Sequence, residues 1–230
     1  MELILGIDDA GRGPVIGPMV LAGCLVDKEV EKDFKKLGVK DSKQLTPKRR
    51  AFLADVVREK AEDFEVVIVY PDEIEKNNSN GTKLNEVEAI ACADIINKIN
   101  KGYEKIKVVL DCPSPGINKW KDFLKTKIND LSSLEVVCEH KADVNHVAVS
   151  AASIIAKDVR EKEMAILKEK YGHQIGSGYA SDPYTIKFLK KHKKNSRMTA
   201  CSGKHGLHGK MHLQSRSRRN CIKFLTLLPF

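Results

Sequence analysis

The chain has 230 residues, 42% of them hydrophobic, enough for one large core or two modest domains. That composition excludes wholesale disorder, and no apolar run approaches the ~18 residues of a membrane-crossing helix. The net charge of +9 sits at one end: all 31 acidic residues lie at or before Asp182, while residues 183–230 carry 12 of the 40 Lys and Arg. The body is nearly balanced and the tail strongly basic, which favours polyanions without naming one.

In chain order, Leu3–Ile7 reads as a buried strand running into Asp8-Asp9, followed by the glycine turn Ala10-Gly11-Arg12-Gly13-Pro14. Val15–Val26 predicts a second strand, bent at Gly17-Pro18. Thr46-Pro47 predicts a helix start, with Thr46 as cap and Pro47 in the first turn. Phe52, Leu53, Val56 and Val57 form that helix's inward stripe. Val66–Tyr70 reads as a strand, and Val87–Ile99 as an amphipathic helix with Ile90, Ala91, Ile95 and Ile99 inward. Ile106–Leu110 is a strand stopped by Asp111, Lys119–Ile128 a short helix, Leu134–Cys138 a further strand. The longest helix runs from about Val147 to Lys170, ending before Gly172, with Ala148, Ala151, Ala152, Ile155 and Ala156 as a small-residue line for close packing. Strands first, then alternating helix and strand, give an α/β fold: a mixed sheet flanked by helices. Residues 191–230 change character and read as a basic appendage to a 1–190 unit.

Six cysteines are scattered without a C-x-x-C pair, and the N-terminus has no secretory pattern, so a reducing, cytoplasmic setting is expected. Cys201, His205, His208 and His212 match no common zinc spacing.

Carboxylates end the strands. Asp8 and Asp9 close the first, Asp111 closes another, and Asp143 stands between a strand and the long helix. Ligand groups gather at such ends of a parallel sheet. Four carboxylates in one place repel unless cations compensate them, and oxygen-only ligands select Mg²⁺ or Mn²⁺. Two such ions can activate a water and stabilise the leaving oxygen of a phosphodiester. Any one of the four taken alone reads more readily as a solvated turn acid or helix cap. Gly11-Arg12-Gly13 lets backbone approach a ligand, but its spacing and the following strand exclude a dinucleotide fingerprint. Tyr179, in Gly176-Ser177-Gly178-Tyr179-Ala180-Ser181-Asp182-Pro183, suits stacking on a sugar or base, or a structural role in the core. Lys157 and Arg160 suit either phosphate contact or a solvated helix face.

Together, Gly6-Ile7-Asp8-Asp9-Ala10-Gly11-Arg12-Gly13-Pro14, Asp41-Ser42-Lys43-Gln44-Leu45, Leu110-Asp111, His140-Lys141-Ala142-Asp143, Ser150-Ala151-Ala152-Ser153-Ile154-Ile155-Ala156-Lys157 and the Tyr179 loop resemble the ribonuclease HII family, nearest its archaeal form. The resemblance covers about residues 1–190. It implies a ribonuclease H-like sheet flanked by helices, a helical C-terminal region and a monomer. It also implies metal-dependent endonucleolytic cleavage of RNA in RNA–DNA hybrids and of ribonucleotides embedded in duplex DNA, leaving 3′-hydroxyl and 5′-phosphate ends. Asp8, Asp9, Asp111 and Asp143 would hold two Mg²⁺ or Mn²⁺ ions. Gly11, Arg12 and Gly13 would read the ribose 2′-hydroxyl through backbone, Tyr179 would pack on the next deoxyribose, and Lys43 would contact phosphate. A backbone site built for that hydroxyl penalises DNA, which leaves its polar groups unpaired.

Three departures stand out. The family normally has Glu at the position of Asp9 and Pro at that of Ala180. The tail after about Lys194 differs from the family's C-terminal helices, as a divergent extension or a frame-shifted segment would. Two rivals stand beside this reading: a catalytically impaired nucleic-acid-binding relative whose affinity resides in the tail, which these departures would favour, and a different nuclease or polynucleotidyl transferase on the same carboxylate-bearing fold, against which Gly11-Arg12-Gly13 and Tyr179 argue.

Overall fold

The computed structural model describes residues 2–40 and 45–195. Five strands form one sheet: β1 (Leu3–Ala10), β2 (Met19–Val26), β3 (Asp63–Val69), β4 (Ile106–Asp111) and β5 (Leu134–Glu139), in the order β3-β2-β1-β4-β5. β1, β4 and β5 run parallel, while β2 is antiparallel to both β1 and β3. This is the mixed sheet expected from the strand-first order. β2 is shorter than Val15–Val26 predicts. Val15 and Ile16 are buried, but in a loop where they pack with Met164, Ile175 and Phe188. Their apolarity reports burial, not strand geometry.

One face carries α4 (Leu84–Ile99) and α5 (Ile117–Lys125): Leu5, Ile7, Leu21 and Leu110 meet Ile95, Ile96, Trp120 and Leu124. The other carries α1 (Lys28–Leu37), α2 (Pro47–Lys60) and the long α7 (Val147–Tyr171), packing Val20, Ala22, Cys24 and Val26 against Phe34, Leu53, Val57 and the line from Ala148 to Ala156. β2 is buried along its whole length because both faces are covered. Among the described residues no helix is long and apolar enough to cross a membrane.

Local chemistry explains the ends. Asp27 caps α1 by accepting from the Val30 amide at 2.8 Å, and Thr46 caps α2 by accepting from the Arg49 amide at 3.3 Å, with Pro47 in the first turn. Phe52 departs from its expected inward place. It is exposed, with the Arg49 guanidinium 5.0 Å from its ring centre, while Ala54 fills the buried stripe. α1 and α3 (Pro71–Ser79) had no sequence expectation: α1 buries only Phe34 and α3 buries nothing fully. α7 lies so close to β1 that a Cβ on Gly6 would overlap the backbone of Ala148 and Val149. Beyond α7, a 3₁₀ turn (His173–Ile175) and α8 (Pro183–Asn195) make a small helical annex.

Candidate active site

The parallel pairing of β1 with β4 sets Ile7 beside Leu110. Asp8 and Asp111, each one residue further on, therefore project at the carboxyl end of the pair, toward the α7 side. Asp8 is only 7% exposed. Burial pushes its carboxyl up to about 8, with the charges of Asp9 and Asp111 adding to the rise and a hydrogen bond from Ser153 of α7 opposing it.

Asp143 follows the edge strand β5, whose Glu139 lies beside Asp111 at the same carboxyl end. Lys141 takes a left-handed backbone conformation, φ 59°, rare for a residue with a Cβ. That turn starts α6 (Ala142–Asn145), whose Ala142 amide donates to Asp111 Oδ1 at 3.3 Å. The buried Asp143 is thus the residue after one that touches Asp111. Its own carbonyl accepts from Ser150 Oγ at 2.5 Å, which fixes the short helix to α7.

Asp9 stands on the opposite face of β1, toward α4, because neighbouring strand residues alternate. Burial raises its pKa, and the nearby Glu88 carboxylate raises it further, while Arg12 opposes both. Glu88 itself is 2% exposed, and burial lifts its pKa against the pull of Arg12. The sequence reading missed this fifth carboxylate. Its signal was present: Glu88 shares the inward stripe of α4 with Ala91, Cys92, Ile95 and Ile99.

The glycine turn and the Tyr179 loop are neighbours. The amides of Val15 and Ile16 donate to the Gly178 carbonyl at 2.7 and 3.2 Å, and Tyr179 Cε1 would lie 3.8 Å from a Cβ on Gly13. Gly11 has φ 87°, and a side chain there would strike Arg160 and the Pro18 carbonyl. Tyr179 is 41% exposed, so it is a surface ring and not a core residue. Arg160 is buried, not on a solvated face: its guanidinium lies 5.2 Å from the Tyr179 ring centre, and among the described residues its Nε has no hydrogen-bond partner. Asp182 orders the loop by accepting from the Ser177 amide and hydroxyl, both at 2.6 Å, which hold its carboxyl down at about 2. Lys43 lies outside the described residues.

The donor set suits a hard divalent cation: carboxylate oxygens only, partly desolvated and mutually repelling. Among the described residues no three His, Cys, Asp or Glu side chains stand close enough to enclose an ion as they are. The fit therefore rests on donor chemistry and mutual charge, not on a preformed cage.

The ribonuclease HII family model matches residues 5–205. The chain is 43% identical over 205 residues to the ribonuclease HII of Methanocaldococcus jannaschii, covering 84% of this chain and 88% of that one. Its fold superposes on the crystal structure of ribonuclease H2 from Pyrococcus horikoshii OT3 with a TM-score of 0.77, at 34% identity, over 95% of this chain and 100% of the other. The ribonuclease HII in a PCNA complex from Archaeoglobus fulgidus gives 0.74 at 40% identity, over 86% and 90%. With carboxylates at the strand ends and a glycine turn beside an exposed tyrosine, the chain belongs to the ribonuclease HII family and is an endonuclease of the ribonuclease H type.

Proposed function

We propose that the enzyme cleaves the RNA strand of RNA–DNA hybrids and single ribonucleotides within duplex DNA, leaving 3′-hydroxyl and 5′-phosphate ends. Asp8, Asp9, Asp111 and Asp143 would hold Mg²⁺ or Mn²⁺, two ions in the reading we favour. Bound there, the metal would supply charge for the attacking water and the leaving oxygen. The chain's own part is positioning and discrimination. Gly11, Arg12 and Gly13 offer backbone polar groups to a ribose 2′-hydroxyl, Tyr179 offers its exposed ring to the adjoining deoxyribose, and Lys43 contacts phosphate. Residues 1–190 form the catalytic unit and 191–230 a basic appendage to a monomer.

The single observation that carries this reading is the adjacency of the Gly11–Gly13 turn and the Tyr179 ring, bound together through Gly178. A general nuclease needs carboxylates but not a ribose gauge. The test is a metal-titrated cleavage assay on a duplex carrying one ribonucleotide, beside an all-DNA duplex of the same sequence. Incision is expected at the ribonucleotide alone, and Asp111→Asn should lower its rate at least ~100-fold through lost charge stabilisation. Equal cleavage of the all-DNA duplex would refute the assignment.

A further inference from the structure

We propose that Glu88, with Asn85, is a positioning residue for ribose recognition, setting the Gly11–Gly13 backbone by gripping Arg12. The proposal rests on the function given above. Arg12 turns away from the open side of its loop and onto α4. Its Nε donates to Glu88 Oε2 at 2.8 Å, and its Nη2 donates to Asn85 Oδ1. The two acceptors are one helical turn apart and hold the planar guanidinium at two edges, a geometry lysine cannot copy. Asn85 is anchored in turn, because its carbonyl accepts from the indole of the buried Trp120 at 2.8 Å. From the other side, Arg160 abuts Gly11 and the Tyr179 ring abuts Gly13.

The turn is thus pinned at three consecutive residues, and the grip on Arg12 is an ion pair with a buried carboxylate. A carboxylate 2% exposed is costly unless paired, and Arg12 is its ion-pair partner. Two edges of the guanidinium are engaged by α4 while its side chain stays 34% exposed, so the grip holds the turn's backbone beside it in one place. A gauge for one hydroxyl must be stiff to reject its absence. Glu88 would supply that stiffness without touching substrate.

The alternative occupant of Glu88 is the metal, since it also faces Asp9. Glu88→Ala and the isosteric, uncharged Glu88→Gln separate the two. Affinity for the single-ribonucleotide duplex and for its all-DNA counterpart is measured in an Asp111→Asn background, where cleavage does not interfere. Glu88→Ala should narrow the ribonucleotide preference about tenfold, as loss of a charged hydrogen bond would, with Glu88→Gln in between. With Asp111 intact, the Mg²⁺ concentration for half-maximal cleavage should stay within about twofold of the parent. Glu88→Ala should not add to Arg12→Ala, because Arg12→Ala already breaks the contact with Glu88. An unchanged preference, full additivity or a shifted Mg²⁺ requirement would each overturn the positioning role. Absence of any ribonucleotide preference in the parent protein would instead overturn the proposed function.

Discussion

Asp9 tests how far one methylene matters. It sits on the α4 side of β1, whereas Asp8 and Asp111 project toward α7. To share an ion with them its carboxylate must reach around the strand end, and Asp is one C–C bond, about 1.5 Å, shorter than the Glu its family normally carries. Where it stands, its charge is opposed by Glu88 more than by any other carboxylate. Restoring the length with Asp9→Glu is therefore expected to raise turnover several-fold at Mg²⁺ concentrations below half-saturation, and much less at saturation. A Mg²⁺ titration of the initial cleavage rate measures this. Identical titration curves would mean that Asp9 lies outside the cation site. At this scale the sequence made the strand-end acids legible, because a carboxylate that stops an apolar run is conspicuous. Glu88 escaped notice because one acid inside an amphipathic helix reads as surface until its helical phase is checked.

Between elements, the contact of α7 with β1 decides where Asp8 meets Ser153. The contact is set by Gly6, where any Cβ would overlap the backbone of Ala148 and Val149. No rotamer relieves a clash with main chain, so Gly6→Ala must push helix and strand apart. The expected cost is about 2–4 kcal/mol, or on the order of 10 °C in Tm, with ribonucleotide cleavage falling in parallel as Ser153 leaves Asp8. Thermal unfolding followed by circular dichroism measures the first part, and an unchanged Tm would mean the helix is not held by this contact. The same packing explains which elements could be read in advance. β1, β4 and α7 carry continuous or small-residue apolar patterns because their partners bury them. α1 and α3 carry charged or polar residues on most positions and bury little, so periodicity had almost nothing to register. Val15 and Ile16 misled in the opposite sense, buried by the C-terminal annex while lying outside any strand.

Across the whole molecule, charge is divided between a near-neutral body and a basic end, and the two imply different kinds of affinity. Ending the chain after Asn195 removes seven Lys and Arg and no acid, leaving 33 basic residues against 31 acidic ones. Counterion release makes each engaged phosphate contact worth about 0.9 in the slope of log affinity against log salt, so the truncated form should show a slope shallower by up to about 6 on all-DNA duplex. The proposed 2′-hydroxyl gauge lies within residues 11–13 and 176–182, so incision of the single-ribonucleotide duplex at saturating substrate should persist. Its preference over all-DNA should widen, because under the proposed division the tail would add affinity for any phosphate backbone and the turn would distinguish sugars. Binding measured across a salt series, with cleavage beside it, tests both halves. If truncation removed binding and neither form cut the ribonucleotide, affinity would belong to the tail alone and the protein would be a nucleic-acid binder on an inactive ribonuclease frame. If truncation removed cleavage but spared binding, the basic end would have to contribute to the site itself, and the division of labour between body and tail would be wrong.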